Sequence, residues 1–416
     1  MPSANPTSPP EQNPTAVATR PITDPDRYSR QVLFPGIGAA GQHLLAGAHV
    51  AIVGVGATGA ASASLLARAG VGTLSLIDRD FVEPSNLHRQ VLFDEADALA
   101  SLPKAEAARR KILLFNSSIR VLPHVVDLVP ANIHDLLSGV HLVLDATDNF
   151  ETRFLINDFA VQGTVPWIYA AAIGATAATM NILPRPPRSG NLPQPTRLPQ
   201  PSHVPHLPGS QEPVPLPDAW QPTACLACLF PAPPAGPVET CDTAGILSTA
   251  VNLAASIQVT EALKLLTGQP HLLRRTLLSF DLWQPTLSSG LSHSEVSATA
   301  PDPDCLVCGH RIFAHLAGEG RPHITLCGRN SVQIHEHHRP VDLAAMHLRL
   351  SRHADTNPKM HPDTPADIQD LRSNDLLLRF RRGPLTLTLF GDGRAVIQGT
   401  SDIAVARTLY ARFIGS

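Results

Sequence analysis

The chain has 416 residues, 43% of them hydrophobic, which is long enough for roughly two to three domains and a sizeable core. A formal charge of −3 gives no electrostatic case for nucleic acid or an anionic membrane surface, and no apolar run is long enough to span a bilayer. No charged and then apolar, cleavable leader opens the chain, so an oxidising compartment is not indicated and a cytoplasmic setting is expected.

Residues 1–25 are rich in Pro, Ser, Thr and Asn and cannot bury enough surface to offset ordering, so they are expected to be disordered, with folding from near Asp26. From Ala48 to about Ala172, apolar runs at His49–Val53, Thr73–Ile77 and His141–Ala146 read as buried strands. Helical patterns at Thr58–Ala69, Lys104–Phe115 and Glu151–Val161 alternate with them. That alternation predicts an α/β fold, a Rossmann-like, doubly wound and mostly parallel sheet. Residues 184–222 form a Pro-rich insertion with no periodic apolar pattern. A helix over Ala244–Thr267, stopped by Gly268, and a strand at Arg275–Leu282 follow.

Beyond Cys308 the pattern weakens, and 311–374 reads as a linker region rich in His, Arg and Pro. Over 375–416, strands at Leu376–Arg381, Leu385–Phe390 and Ala395–Gln398, a Gly391-Asp392-Gly393 turn and a helix at Ile403–Phe413 read as a small α+β unit of β-β-β-α order. His335, His337 and His338 lie without partner ligands at metal-site spacing and read as a solvated loop, and Cys327 as a small buried strand residue.

Two Cys-x-x-Cys pairs, Cys225–Cys228 and Cys305–Cys308, suit a tetrahedral structural Zn²⁺, because each pair spans two adjacent corners. Two short disulfides are the alternative. Cys241 is left outside this set. It reads either as a thiol available for chemistry or as a small buried residue entering the next helix.

Gly54-Val55-Gly56-Ala57-Thr58-Gly59 joins the first strand to a helix, and Asp78 ends the next strand. The glycines let phosphate approach backbone N–H groups at a helix N-terminus, and an acid about twenty residues on can accept hydrogen bonds from ribose hydroxyls. Asn86-Leu87-His88-Arg89-Gln90, Lys104 and Asp145-Ala146-Thr147-Asp148-Asn149 then supply more cations and acids than hydride transfer needs. Arg and Lys beside a phosphate loop suit a triphosphate, and a strand-end Asp suits Mg²⁺. Only four of the 32 basic residues are lysines, so Lys104 stands out. Taken alone, Arg89 and Lys104 would be solvated helix charges and Asp148 a helix cap.

These residues, with Arg27-Tyr28-Ser29-Arg30-Gln31 near the start, resemble the ThiF/MoeB family of adenylyltransferases, relatives of ubiquitin-activating enzymes, over 26–310 apart from the Pro-rich insertion. The resemblance implies ATP-dependent adenylation of the C-terminal Gly-Gly carboxylate of a small β-grasp sulfur-carrier protein, in thiamine or molybdopterin biosynthesis. It implies that Asp78 holds the ribose, that Asn86, Arg89 and Lys104 contact the phosphates, and that Asp148 organises Mg²⁺. Arg30 would reach the ATP site of a second subunit in a homodimer. Cys241 matches a crossover-loop cysteine that takes the activated carrier as a thioester or acyl-disulfide in some members, and a cysteine desulfurase or rhodanese would donate sulfur. Neither nucleic acid nor membrane is expected as a partner.

The chain departs from the family pattern at Ala57 and Thr58, where Gly and Leu are common, and in the insertion. After Cys327 there is no cysteine loop of the rhodanese kind carried by eukaryotic-type members. Two alternatives stay open: the same core activating another acid, or a non-catalytic relative that only docks a carrier.

Overall fold

The structure is a computed structural model that describes residues 24–186, 220–232, 244–284, 292–318, 325–326, 331–334, 340–354, 368–391 and 393–414. Residues 1–23 of the expected disordered start, 187–219 of the Pro-rich insertion, Cys241, Cys327, the three histidines at 335, 337 and 338, and Asp392 lie outside the described residues.

The first unit is built on eight strands: β1 (His49–Val53), β2 (Thr73–Ile77), β3 (Arg120–His124), β4 (Leu142–Asp145), β5 (Trp167–Ile173), β6 (Thr176–Ile182), β7 (Thr276–Asp281) and β8 (Ser292–Ser297). They lie in the order β3-β2-β1-β4-β5-β6-β7-β8. The β3 to β5 half is parallel, and β6, β7 and β8 continue it antiparallel. The order reverses direction at β1, which lies between β2 and β4, so a crevice opens at the carboxyl ends of these strands.

Helices α1 (Asp24–Val32), α2 (Gly38–Gly47), α3 (Ala57–Ala69), α4 (Glu95–Leu99), α5 (Lys104–Phe115), α6 (Ile133–Leu136), α7 (Phe150–Gly163), α8 (Leu226–Leu229) and α9 (Ser248–Leu266) belong to this unit. Side chains alternate across a strand with period two, so a sheet covered on both faces needs apolar residues at every position. Val50 and Ile52 of β1 accordingly face one core, with Leu74, Leu76, Leu142 and Leu144, under α3, α5 and α9. Ala51 and Val53 face the other, with Val143 and Trp167, under α7.

The strands and helices read from the sequence are present within a few residues of their expected bounds. The largest difference is at Ala244–Thr267, where α9 begins only at Ser248. Backbone bonds between Gly174 and the Gly245–Leu247 segment occupy the preceding residues, Gly174 donating to Gly245 at 2.9 Å and Leu247 to Gly174 at 2.7 Å.

The second unit is larger than the expected 375–416. Its antiparallel sheet, ordered β11-β12-β13-β14-β10-β9, contains β9 (Thr325–Leu326), β10 (Ser331–Ile334), β11 (Gln369–Ser373), β12 (Leu377–Arg382), β13 (Leu385–Phe390) and β14 (Ala395–Gln398), with α10 (Leu343–Ala354) and α11 (Ile403–Phe413). The stretch 311–374 thus supplies three strands and a helix rather than a linker. Short edge strands and a single amphipathic helix give little periodic signal on their own. The first unit also runs past residue 310, because Phe313 and Leu316 pack into its α7 core.

Alternation also sorts the second sheet. Leu378, Phe380, Leu387, Leu389, Ala395 and Ile397 pack under α10 and α11. Leu377, Phe390 and Val396 point the other way and bury Phe81 of the first unit, with Val125 beside them.

Candidate active site

Three loops meet at the carboxyl ends of β1, β2 and β4. Gly54 has φ +85°, and a Cβ there would stand 2.6 Å from the Ala146 carbonyl oxygen. Glycine therefore lets the loop after β1 press against the loop after β4. At Gly59 a Cβ would lie 1.9 Å from the Gly54 oxygen, so the first turn of α3 closes on the loop only without a side chain. Gly56 differs, since its Cβ would meet nothing nearer than Gln90 Nε2 at 3.9 Å. The space beside Gly56 is a cradle at the N-terminus of α3, suited to an anionic phosphate.

Asp78 ties this cradle to β2. Its carboxylate accepts from the backbone N–H of Val55 at 2.6 Å and of Asp80 at 2.7 Å. Burial pushes the Asp78 carboxyl above the usual carboxylate range, and Lys104 pulls it back. Lys104 is 3% exposed, and its Nζ donates to Asp80 Oδ2 at 3.0 Å. The backbone fixes the same junction, with Lys104 N–H donating to the Asp80 carbonyl at 2.8 Å.

Asn86 and Arg89 lie on a single short turn. At the 3₁₀ turn Pro84–Asn86 the Asn86 N–H donates to the Glu83 carbonyl at 2.9 Å, while Asn86 Oδ1 accepts from the Glu83 N–H at 3.0 Å. The Asn86 carbonyl is thereby committed to the turn, so its amide nitrogen is the group that would donate to a phosphate. Arg89 is held from below, its Nη1 donating to the Ser85 carbonyl at 2.7 Å. Gln90 is buried at 3% exposure, and its Oε1 has no hydrogen-bond partner. A buried orphan acceptor beside the Gly56 cradle fits a site that takes a polar ligand.

The loop after β4 is shaped from beneath. Asp145 accepts from the N–H and Oγ1–H of Thr147 at 2.9 and 2.7 Å and from Arg153 Nε at 3.1 Å. Arg153 also donates to the Thr147 carbonyl at 2.6 Å. Burial pushes the Asp145 carboxyl up, opposed mainly by Arg153. Asn149 caps α7, accepting from Thr152 N–H at 2.8 Å. Asp148 is therefore not the helix cap but an exposed carboxylate at the strand end, of a kind that suits Mg²⁺. Under both loops Gln258 of α9 donates to the carbonyls of Asp145 and Ile168, each at 2.8 Å, and accepts from Ser62 Oγ–H at 3.0 Å.

Arg30 is not brought to this crevice. Its helix α1 is tied to the far end of α3 and α5: Gln31 donates to the Ala69 carbonyl at 2.7 Å, and Tyr28 accepts from Asn116 at 2.8 Å. The thirteen residues of α3 put about 20 Å between that end and Gly56. Cys241 lies outside the described residues, and the backbone after it is pinned to the turn between β5 and β6 through Gly245.

Cys225, Cys228, Cys305 and Cys308 converge, with every Sγ within 4.8 Å of the others. Sulfur separations of 3.7 Å for Cys225–Cys305, 3.7 Å for Cys225–Cys228 and 3.4 Å for Cys228–Cys308 are far too long for disulfides. Four thiolates about 2.3 Å from one Zn²⁺ would sit about 3.8 Å apart, so the set fits that ion. Asn157 supports it, donating Nδ2–H to Cys225 Sγ at 3.8 Å and accepting from Leu226 N–H at 2.9 Å. Its neighbour Asp158, its carboxyl pushed by burial up to about 6, accepts from His315 and Leu316 N–H and holds the chain after the second pair.

Sequence reasoning missed Asp80, Gln90, Arg153 and Gln258. Asp80 and Gln90 stood inside the motifs already singled out, two residues past Asp78 and one past Arg89. Arg153 lies only eight residues past Asp145 but reads as an ordinary helix charge, and nothing local marks Gln258, whose partners lie far away in the chain.

The chain is similar to known proteins in sequence and fold. A model of the ThiF family matches residues 28–307. The sulfur carrier protein ThiS adenylyltransferase of Bacillus subtilis (strain 168) is 39% identical over 391 residues, covering 94% of this chain and 99% of that protein. The SAMP-activating enzyme E1 of Haloferax volcanii is 32% identical over 288 residues, 69% of this chain and 90% of that protein. E. coli MccB, solved with ATP, has the same fold at a TM-score of 0.50 and 22% identity, covering 68% of this chain and 74% of that one. With a family model over more than half its length and a relative matched almost end to end, this chain belongs to the ThiF family.

Proposed function

We propose that this protein adenylates the C-terminal Gly-Gly carboxylate of a small ubiquitin-like sulfur carrier, of the kind that serves thiamine or molybdopterin biosynthesis. What supports this reading is the open space beside Gly56 at the N-terminus of α3, with Asp78 bonded to Val55 of the same loop and Lys104 paired to Asp80 two residues on. In the reaction a carboxylate oxygen of the carrier attacks the α-phosphorus of ATP while the bond to the bridging oxygen breaks, giving acyl-adenylate and pyrophosphate. A carboxylate is already nucleophilic, so alignment and charge neutralisation suffice and no general base is needed.

Asp78 holds the ribose, and the N-terminus of α3 holds a phosphate. Lys104, Arg89 and the Asn86 amide neutralise charge as it moves onto the leaving pyrophosphate. Asp148 holds Mg²⁺, which when bound screens the phosphate oxygens. Arg30, placed far from its own chain's crevice, serves the crevice of a second copy in a homodimer. Cys241 then takes the acyl group: its thiolate attacks the acyl carbon, the bond to the AMP oxygen breaks, and a carrier thioester remains. A cysteine desulfurase or rhodanese donates the sulfur, and the reaction runs in the cytoplasm, where thiols stay reduced. No helix among the described residues is long and apolar enough to cross a membrane.

The test is exchange of labelled pyrophosphate into ATP, dependent on a purified Gly-Gly carrier. Lys104→Ala and Asp148→Ala are each expected to slow exchange about a hundredfold to a thousandfold. Absence of exchange with every such carrier would refute the reading.

A further inference from the structure

Beside the apolar packing of Leu377, Phe390 and Val396 on Phe81, the second unit sends a charged side chain, Arg379, to the segment that leads into the proposed site. On β12, Leu378 and Phe380 face the helices of their own unit, so by strand alternation Leu377 and Arg379 face the first unit. The Arg379 guanidinium lies over the Phe81 ring, 4.3 Å from its centroid, and its Nη2 stands 3.4 Å from Glu83 Oε1. Glu83 is the residue whose backbone N–H and carbonyl close the turn Pro84–Asn86 onto Asn86. Phe81 follows Asp80, the partner of Lys104. Arg379 thus touches both ends of the segment that leaves the ribose-binding acid and enters the phosphate-binding turn.

Two further contacts dock the same face elsewhere. Arg394 donates to the Val125 carbonyl at 2.7 Å, and Asn374 Nδ2 donates to the Ala100 carbonyl at 3.1 Å. Neither touches the 81–89 segment. Arg394 and Asn374 thus supply docking contacts that leave this segment untouched, and a variant at Asn374 separates loss of docking from loss of Arg379.

We propose that Arg379, supplied by the C-terminal unit, is a positioning residue for the adenylation site: by stacking on Phe81 and pairing with Glu83 it fixes the capped turn that carries Asn86 and Arg89. A guanidinium can stack and pair at once, and both contacts are only partly open to solvent, where a charge pair is screened less than on a free surface. Without it, the backbone bonds between Glu83 and Asn86 remain, but the Glu83 side chain loses this ion pair and Phe81 its stacked cation, and the turn gains freedom at the point where it meets phosphate. Displacement of about 1 Å at a remote support can cost up to about a hundredfold in rate.

This inference rests on the function proposed above, and the experiment separates the two. ATP affinity of the full chain is measured by titration calorimetry, together with carrier-dependent exchange kinetics and the melting temperature. Arg379→Ala is expected to weaken ATP binding between about tenfold and a hundredfold, with the carrier's KM unchanged, while Asn374→Ala leaves both as in the wild type. Arg379→Lys, which keeps the charge and loses the planar stack, is expected to fall between. In a Glu83→Ala background, Arg379→Ala should add less than its loss in the wild type, because only the stack on Phe81 remains to be removed.

Unchanged ATP affinity in Arg379→Ala, an equal loss in Asn374→Ala, or additive losses in the double variant would overturn the inference and leave the proposed function standing. A wild-type chain that neither binds ATP nor exchanges pyrophosphate would overturn both. Should Arg379→Ala fail to fold, Arg379→Lys and Glu83→Gln carry the same comparison, with unchanged ATP affinity in both counting against the inference.

Discussion

Three glycines with the same sequence signature have three different physical duties. Gly54 admits a left-handed backbone against the loop after β4, Gly59 admits a helix turn against the Gly54 carbonyl, and Gly56 leaves space that no atom of the described residues fills. Substitution should separate them. Gly59→Ala forces a Cβ onto backbone and is expected to cost about 1–3 kcal/mol of stability, seen as a lower denaturant midpoint. Gly56→Ala should fold with a change of no more than about 1 kcal/mol, yet bind ATP at least about tenfold more weakly because its methyl occupies the phosphate cradle. Equal ATP affinity in Gly56→Ala would show that the phosphate lies elsewhere. At this scale the sequence marked Asp78, Lys104 and Asp148 by residue type and motif. It did not show that Lys104 is bound to Asp80, because that pair joins the end of β2 to the start of α5 across a connection whose path is set by packing.

Helix α9 carries an element-scale role that its sequence hides. Gln258 looks like one polar residue in a mostly apolar helix, but it is buried and bonds the carbonyls at the ends of β4 and β5 as well as Ser62 of α3. Replacing it with Leu keeps the volume and strands two carbonyls and a hydroxyl. Gln258→Leu is therefore expected to lose about 1–3 kcal/mol or more by chemical denaturation. A wild-type midpoint would mean the carbonyls find other donors. The same scale explains which elements were legible. Strands β1, β2 and β4 are buried on both faces and read as mostly apolar runs, with Ser75 a buried polar residue in the middle of β2. Strand β8, Ser292–Ser297, lies mostly exposed at the sheet edge and carries no such run, and the strands of 325–373 are short or mostly polar.

For the whole molecule, the four-cysteine cluster joins the exit of the Pro-rich insertion to the end of the first unit, and the second unit closes over Phe81, at the start of the segment that carries Asn86 and Arg89. One zinc per chain is expected by elemental analysis, and a strong chelator should release it, expose four titratable thiols and lower the melting temperature of the full chain. A metal-free protein with an unchanged melting temperature would rule out a structural ion. The local sequence determined the parallel α/β core, the glycine loop, the acids at strand ends and the pairing potential of the cysteines. Those features follow from side-chain period, backbone freedom and ligand type, which act over a few residues. Only the tertiary structure decided that the four sulfurs meet, that Arg30 lies far from its own chain's crevice, that Gln258 braces two loops, and that Arg379 of the second unit reaches Glu83. Each of these depends on how distant segments pack, and packing is a property of the assembled core rather than of any stretch of chain.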